Sequence, residues 1–401
     1  MTKTLPRPSS LIEHFRFDPK VVYLNHGSFG ACPTGIIEAQ QRHRDRVEAD
    51  AMQFYIYDLW RMVDRSRQAL GELINAQAED IVFVNNATTA VATVLSNLDL
   101  APGDEMIVTD LEYPACKNNF EHFANRSGAK VVVVDIPWVG LNEDAAFDAI
   151  MAKVTSKTKL LLISLISSAT AVRLPVERII AKLKDQGVET LLDAAHGPGC
   201  VPIDITAWGA AYTTGNGHKW LCSPKGVAFL HVRKDLQAGF RPLVLSNHAM
   251  DIEPARARTK RSAFNHEFDY MGTDDRSGVL TIADSIECLD SLMPGGLTGP
   301  DGIMAHNLSL CIEARNLLFD AFGTTPTIPE SMLGPLAVID IPAPGLHPRE
   351  LRENLFKNHA IEIMIVPSPV GTHPMVRISP YIYNSIEQYQ YLGDAIRSEI
   401  G

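Results

Sequence analysis

Short apolar runs that alternate with helical stretches constrain the fold of this chain most strongly. Between residues 80 and 232 these runs have the length and composition of β-strands, and segments with apolar residues at helical spacing separate them. The predicted strands are 80–84, 105–109, 130–136, 160–164, 189–193, 210–214 and 227–232. Because strands that alternate with helices build a mostly parallel sheet, the sequence predicts an α/β fold. Ligands of such sheets bind at the carboxyl ends of the strands.

The segments that flank this region predict further helices and a second, smaller unit. Residues 36–70 have the pattern of one long or broken amphipathic helix. Towards the C-terminus the sequence predicts strands at 336–341, 362–366 and 375–379, and helices at 278–292, 305–322 and 386–400. We therefore expect a large α/β domain over residues 20–255 and a smaller α+β domain formed by residues 1–19 and 256–401.

The composition fits a folded protein of two or three domains and disfavours several kinds of partner. The chain has 401 residues, of which 46% are hydrophobic and 21% charged, and its net charge of -11 argues against nucleic acid. No apolar run is long enough to cross a bilayer and the first residues lack a signal-peptide core, so we expect no membrane partner and a cytoplasmic location. The six cysteines form no C-x-x-C pair, so no metal site or disulfide framework is predicted.

A carboxylate and a lysine follow two of the predicted strands. Asp193 ends an apolar run, and Lys219 ends the glycine-rich turn that begins at Gly215. Pyridoxal phosphate (PLP) needs both groups: an amine that condenses with its aldehyde, and a carboxylate that keeps the pyridine nitrogen protonated so that the ring accepts electrons. The pair predicts PLP as cofactor. The alternative is a surface lysine and an aspartate that caps a helix.

Other segments offer groups for the phosphate and the ring. Thr88 and Thr89 lie between a predicted strand and helix, where backbone N–H groups and hydroxyls can bind a phosphate, although Thr88 could simply cap the helix. Tyr113 follows another strand and could stack on the pyridine ring or pack as a half-buried side chain. His196 and His218, next to the two anchor residues, could hydrogen-bond the phosphate, the phenolic oxygen or the substrate.

Two arginine-containing segments could bind anions. Arg377 lies on an apolar strand, where its forked guanidinium suits a substrate carboxylate; the alternative is a salt bridge on an edge strand. Arg256, Arg258, Lys260 and Arg261 lie in a polar stretch that is either a solvated connector or a loop that reaches a phosphate in a neighbouring subunit.

Five motifs together resemble a known family. They are Tyr23–Gly30, Asn86–Thr89, Leu192–Gly197, Gly215–Leu221 and Val376–Ser379. The combination resembles the class V aminotransferase group of fold-type-I PLP enzymes, most closely the isopenicillin N epimerase-like branch. The resemblance implies a large domain with a mostly parallel seven-stranded sheet, a smaller α+β C-terminal domain and a homodimer with active sites at the interface.

The resemblance also implies roles for individual residues. Lys219 resembles the lysine that binds the cofactor as a Schiff base and shuttles the proton at Cα, Asp193 the partner of the pyridinium, and His196 the histidine beside it. Cofactor contacts are implied for Ala87, Thr88, Thr89, Tyr113, Ser168, Asn216, His218 and Thr273, the last lent by the other subunit. Substrate contacts are implied for Arg377, Asn25 and His26.

Two departures from the family pattern bear on the reaction. Related epimerase-like chains tend to carry an Asp-His pair where Ser164 and Leu165 stand here, so the substrate or the reaction can differ. Cysteine desulfurases carry a nucleophilic cysteine in a loop that corresponds to residues 366–372, and that loop has none here.

Several functions stay open at this point. The leading expectation is epimerase-type chemistry at the Cα of an amino acid or aminoacyl substrate. The alternatives are carbon–sulfur β-elimination of a cysteine derivative, and transamination. A catalytically silent PLP-binding scaffold is disfavoured because Lys219 and Asp193 are both present. For epimerisation, His26 is a candidate for the second acid.

Overall fold

A seven-stranded sheet forms the centre of the fold in the computed structural model, which describes residues 5–249 and 260–401. In chain order the strands are β1 Val22–Tyr23, β2 Ile81–Val84, β3 Glu105–Thr109, β4 Lys130–Val134, β5 Thr158–Ser164, β6 Glu189–Asp193, β7 Tyr212–Asn216, β8 Ala228–Val232, β9 Ala337–Asp340, β10 Ile361–Glu362, β11 Met364–Pro367 and β12 Pro374–Ile378. The large sheet has the order β2-β8-β7-β6-β5-β3-β4, and only β8 runs antiparallel to its neighbours. The predicted mostly parallel seven-stranded sheet is confirmed.

Helices cover both faces of this sheet. Alternate residues of β5 belong to different apolar clusters: Leu161 and Ile163 to one, Leu160 and Leu162 to the other. Burial on both faces explains why these strands are nearly continuous apolar runs. The α-helices are His26–Phe29, Thr34–Ala49, Ala51–Gln53, Leu59–Leu73, Ala87–Ser96, Pro114–Ser127, Glu143–Met151, Val176–Asp185, Ile205–Trp208, Ala263–Asp269, Ser277–Leu280, Ile282–Leu292, Ile303–Phe322, Pro348–His359 and Ile386–Ile400.

The C-terminal part has its own antiparallel sheet with the order β11-β12-β9. Helices Ile303–Phe322 and Ile386–Ile400 pack against each other, and the first also contacts β9. Strand β1 pairs with β10, which ties the N-terminal segment to this part of the chain. A smaller α+β unit is therefore present as expected, while the domain boundaries given above stay a prediction.

The amphipathic stretch predicted at 36–70 as one long or broken helix is a broken helix in the structure. Helix Thr34–Ala49 ends at Asp50, whose side chain accepts a hydrogen bond from the backbone N–H of Gln53 and starts the next helix. A short π-helix, Phe54–Asp58, then leads into helix Leu59–Leu73. No helix in the described part of the chain is long and apolar enough to cross a membrane.

The polar, basic stretch contains a helix that the sequence pattern does not predict. Within Ala263–Asp269, Asp269 is fully buried and pairs with Arg67. Arg261 pairs with Asp64 at 2.7 Å, so this member of the basic cluster has a structural partner. Arg256 and Arg258 lie outside the described residues.

Gly30 sets how closely the N-terminal segment approaches the turn that carries Lys219. It ends helix His26–Phe29 with φ +68°, in the left-handed region that favours glycine. A Cβ atom at this position would lie 2.4 Å from the carbonyl oxygen of His218 and 2.5 Å from that of Lys219. Because both neighbours are backbone atoms, they cannot rotate away as a side chain can.

We expect Gly30→Ala to lower both the melting temperature and the content of bound cofactor, because the turn at Lys219 must shift. Gly103→Ala is the matched control: Gly103 also has a positive φ of +91°, but a Cβ atom there would meet nothing within 4 Å. The control should lose only the stability that any non-glycine residue costs at a positive φ, about 1 kcal/mol. Equal losses of stability in the two variants, with normal cofactor content in Gly30→Ala, would contradict the role of this contact.

Candidate active site

A cavity of about 580 Å³ opens at the carboxyl ends of the central parallel strands. The register places Ser164 of β5 opposite Asp193 of β6, and Asp193 opposite Thr214 of β7. Most of the predicted site residues line this cavity: Ala87, Thr88, Thr89, Tyr113, Ser168, Asp193, His196, Asn216, His218, Lys219 and Arg377. The structure therefore brings together residues from very distant parts of the sequence.

Asp193 is a buried carboxylate at the end of β6. Its Oδ1 accepts a hydrogen bond from the backbone N–H of Ala195 at 2.9 Å, and its Oδ2 accepts one from the thiol of Cys116 at 3.6 Å. Burial raises the pKa of Asp193, whereas these hydrogen bonds and the charge of Lys219 lower it. A cation placed next to this carboxylate would therefore be strongly favoured.

Lys219 lies just beyond β7, in the wall of the same cavity. Its Nζ is 3.0 Å from Nε2 of His196. Burial, the largest cause, lowers the pKa of Lys219 to about 8, against the opposing effect of Asp193. A larger fraction of this amine is therefore neutral near pH 7 than for an ordinary lysine, and only the neutral amine is a nucleophile or a base.

The N-terminus of helix Ala87–Ser96 faces the cavity. Asn86, not Thr88, caps this helix, since its side chain accepts a hydrogen bond from the backbone N–H of Thr89 at 2.8 Å. The N–H of Ala87 donates to Oδ1 of Asn216 at 3.0 Å, which joins the helix to the end of β7. First-turn N–H groups have no intrahelical acceptor and carry a partial positive charge, so this end of the cavity suits a phosphate.

Arg377 enters the cavity from the smaller sheet. It lies on β12, the central strand of that sheet, so the edge-strand alternative does not apply. Its guanidinium donates to the carbonyl oxygen of Ser168, to Oδ1 of Asn25 at 3.1 Å and to Oγ of Ser28 at 2.8 Å. These acceptors are uncharged, and burial lowers the pKa of Arg377 to about 10. A carboxylate bound here would supply the missing negative charge.

Three predicted residues lie outside the cavity lining. Asn25 instead orients Arg377, as just described. His26 is fully buried, stacks on Tyr381 with ring centroids 3.8 Å apart, and its Nδ1 lies 2.9 Å from the hydroxyl of Tyr383. Thr273 lies on the surface, with Oγ1 3.0 Å from the hydroxyl of Tyr270. The predicted substrate role of His26 and the predicted reach of Thr273 into another subunit stay predictions.

The structure adds site residues that the sequence reasoning missed. Ser164 lines the cavity at the end of β5 and could have been found by the same strand-end argument that identified Asp193. Cys116 carries no sequence signal, because only the folded chain brings it to Asp193. Ser28 lies within the Tyr23–Gly30 motif, but only the folded chain shows that it contacts Arg377. Further lining residues are Phe29, Asn86, Ile166, Ala195 and Met364.

Glu112 lies directly behind Ser164. Its Oε1 accepts hydrogen bonds from Oγ1 of Thr109 at 2.8 Å and from the backbone N–H of Ser164 at 3.0 Å, and its Oε2 accepts one from Oγ of Ser164 at 2.5 Å. Burial raises the pKa of Glu112 to about 7, and the nearby charge of Asp193 acts in the same direction. This carboxyl group therefore changes its protonation near neutral pH.

We expect Glu112→Gln to change how stability depends on pH. An acid whose pKa is raised on folding binds more protons in the native state, so its contribution to stability is fully present below pH 4.5 and is lost as the pH rises through 7. Gln cannot ionise, so the variant should gain roughly 3 kcal/mol relative to the wild type between pH 4.5 and pH 8.

Urea unfolding of the holoenzyme at a series of pH values measures this difference. Glu121→Gln, at an exposed position of helix Pro114–Ser127, is the matched control and should show no such change. A Glu112→Gln curve parallel to that of the wild type would contradict the raised pKa.

The described residues fit PLP. One cavity contains a partly desolvated lysine amine, a buried carboxylate that lacks a close cationic partner, a helix N-terminus suited to a phosphate, and the Tyr113 ring, which is 47% exposed. Each group matches one part of the cofactor: the aldehyde, the pyridine nitrogen, the phosphate and the ring face. No group of side chains suited to a metal ion occurs among the described residues.

Comparison with known proteins agrees with this site. The family model for aminotransferase class-V matches residues 52–392. A putative L-cysteine desulfhydrase 1 from Oryza sativa subsp. japonica is 30% identical over 431 residues, covering 97% of this chain and 87% of the relative. An isopenicillin N epimerase from Streptomyces clavuligerus is 29% identical and covers 96% of both proteins.

Solved structures share the fold. A C-DES mutant with glycine covalently linked to PLP matches with a TM-score of 0.80 at 19% identity, over 97% of this chain and 99% of that chain. The predicted fold-type-I architecture is confirmed by this likeness.

Proposed function

Because this chain belongs to the aminotransferase class-V family, whose members are PLP-dependent enzymes, we propose that it removes the Cα proton of an α-amino acid with Lys219 as the base. The observation that carries the proposal is that the Lys219 amine and the Arg377 guanidinium face one cavity. A substrate whose carboxylate binds Arg377 has its Cα one bond away from that carboxylate. The geometry therefore favours chemistry at Cα.

Each residue has a distinct task in this proposal. PLP, when bound, supplies the electron sink for the negative charge that develops at Cα. Lys219 would hold the cofactor covalently, Asp193 would pair with its ring nitrogen and Tyr113 would stack on its face. Thr88, Thr89, Asn216 and His218, with the N–H of Ala87, would bind the phosphate, and Ser168 would contact the phenolic oxygen.

We favour carbon–sulfur β-elimination as the outcome of Cα deprotonation. One lysine suffices for this reaction: Nζ takes the Cα proton, a Cα–Cβ double bond forms as the Cβ–S bond breaks, and the departing sulfur takes the electron pair and a proton from Nζ. His196 follows β6 and Lys219 follows β7, and their side chains lie 3.0 Å apart at one side of the cavity. The cysteine desulfhydrase relatives are consistent with this outcome.

Epimerisation is the second candidate. It requires a second proton donor on the opposite face of Cα. The Tyr113 phenol, which lines the cavity, is the group that supports this alternative, and the epimerase relatives are consistent with it. Persulfide transfer is disfavoured since residues 366–372 contain no cysteine and burial raises the pKa of the Cys116 thiol far above its usual range.

We further propose a cytoplasmic homodimer in which Thr273 of one subunit reaches the cofactor of the other. Thr273 lies in an exposed loop beside Tyr270. The apolar side chains of Met52 and Tyr57 are 69% and 63% exposed, as expected for a surface that a second copy covers.

Incubation of the holoenzyme with amino acids in D₂O tests the shared first step. We expect deuterium at Cα of substrates with a free carboxylate, and pyruvate with sulfide from cysteine. If exchange occurs with inversion at Cα and no pyruvate forms, the reaction is epimerisation and not β-elimination. Lys219→Ala is the control and should lose exchange together with the borohydride-stable link between cofactor and protein. If the wild type binds PLP yet shows neither exchange nor product across a broad panel, the proposal fails.

Arg377→Ala tests the carboxylate site. Truncating one partner of a buried charge pair costs about 2–5 kcal/mol, so KM for an amino acid should rise at least about 30-fold while PLP stays bound. The corresponding amino-acid amide, which lacks the carboxylate, is the control: its exchange rate should be similar in the wild type and the variant. An unchanged KM for the free acid would show that the substrate carboxylate binds at a site other than Arg377.

A further inference from the structure

Trp220 directly follows the cofactor lysine, and its side chain lies behind the cavity wall. Its indole ring is fully buried. Nε1 of Trp220 donates a hydrogen bond to Nδ1 of His196 at 3.1 Å. On the other side of the same imidazole, Nε2 of His196 lies 3.0 Å from Nζ of Lys219. The three side chains thus form a chain of hydrogen bonds that ends at the reactive amine.

The chemistry of indole fixes the protonation of the imidazole. An indole nitrogen only donates hydrogen bonds, so Nδ1 of His196 must be the acceptor and carries no proton. Burial lowers the pKa of His196 well below its usual range, so the ring is neutral. A neutral imidazole has one proton, which must then be on Nε2.

This tautomer determines what His196 does to Lys219. An Nε2–H group can only donate, so Nζ must accept through its lone pair, and a protonated ammonium has none. The other charged or titratable groups that act on Nζ are Asp193, Arg377, Cys116 and Cys200. In this arrangement His196 cannot take a proton from the substrate, and Lys219 remains the base.

The surroundings hold the indole in place. The carbonyl oxygen of Trp220 accepts a hydrogen bond from the hydroxyl of Tyr381 at 3.2 Å. The indole ring packs against His26, with centroids 5.0 Å apart, and His26 in turn stacks on Tyr381. Because each of these groups is fully buried, the direction of the Nε1–H bond is set by packing.

We propose that Trp220 is a positioning residue that locks His196 in the Nε2–H tautomer and thereby makes it a hydrogen-bond donor to Lys219. The part that concerns catalysis rests on the proposed function, whereas the tautomer itself does not. In this arrangement His26, which packs against the indole, helps to hold it in place.

Nitrogen NMR of the holoenzyme labelled with ¹⁵N-histidine tests the tautomer directly. The His196 signals are assigned by their loss in His196→Gln. In the wild type we expect Nδ1 to resonate as an unprotonated nitrogen and Nε2 as a protonated one. In Trp220→Phe, which keeps a buried ring but removes the N–H group, both shifts should move towards an average of the two tautomers. A protonated Nδ1 in the wild type, or unchanged shifts in Trp220→Phe, would overturn the proposal.

Kinetics of the same variants give a second readout. Trp220→Phe should lower kcat by roughly 10- to 100-fold, the range found when the partner that orients a metal-bound histidine is removed, with KM little changed and the basic pKa of the pH profile shifted. Trp138→Phe, at another buried tryptophan away from the cavity lining, should leave kcat and the His196 shifts as in the wild type. A loss of kcat of the same size in Trp138→Phe would contradict a specific role for the Trp220 N–H group.

If Trp220→Phe does not fold, benzothienylalanine at position 220 replaces it, since a sulfur atom then stands in place of the N–H group with nearly the same shape. The outcomes separate this inference from the proposed function. Absence of Cα exchange with the Nε2–H tautomer present would refute only the proposed function. Exchange in an enzyme whose His196 carries its proton on Nδ1 would refute only the role of Trp220.

Discussion

The buried carboxylate of Asp193 is the constraint on which the site depends. Removing a carboxylate from water is costly unless hydrogen bonds and an opposite charge compensate. Here one backbone N–H and one thiol offer only partial compensation. A protonated pyridine nitrogen would supply the positive charge that Asp193 still lacks. Placed at the end of a central strand, this carboxylate would fix where the ring of PLP lies, and the other proposed contacts follow from that position.

Arg377 presents the complementary situation. Its guanidinium is buried among uncharged acceptors, and its Nε has no hydrogen-bond partner among the described residues. The cavity thus contains a carboxylate suited to a cation and a cation suited to a carboxylate, contributed by different sheets. The protonated ring nitrogen of bound PLP would satisfy the first, and a substrate carboxylate would satisfy the second. Since β1 pairs with β10 and Gly30 abuts the turn at Lys219, the N-terminal segment helps to hold the two sheets in this relation.

Much of the fold could be predicted because strands that are buried on both faces appear in the sequence as short, nearly continuous apolar runs. The predicted bounds of β3, β6 and the last helix agree with the structure to the residue. Strand β7 is found two residues further on than predicted, because its end is polar and glycine-containing and is held by the hydrogen bond from Ala87 to Asn216. Helix Ala263–Asp269 was not predicted, since most of its buried residues are polar. Phe264 and Phe268 join an apolar cluster, but polar residues are buried beside them, and Asp269 forms an ion pair with Arg67.

The site residues likewise divide into those that a local sequence pattern indicates and those that only the folded chain identifies. Asp193 and Lys219 could be predicted because they follow strands, and the chemistry of PLP requires both types of group. Glu112 and Trp220 could not, because their importance depends on contacts with Ser164 and His196 that only the folded chain makes.

The direction of the hydrogen bonds around His196 links the fold to the reaction. An imidazole that could accept a proton would give the site two bases on one side of Cα, and protons could be exchanged between them. In the proposed reaction, with Nδ1 occupied by the indole, the proton removed from Cα would stay on Lys219 until a leaving group or Cα itself takes it back. A substrate with a thiol or thioether at Cβ would then lose sulfur, because the proton on Nζ would be the one available to it. In the proposed reaction, a substrate without such a group could only regain the proton on the same face, and inversion would require a donor on the other side of Cα.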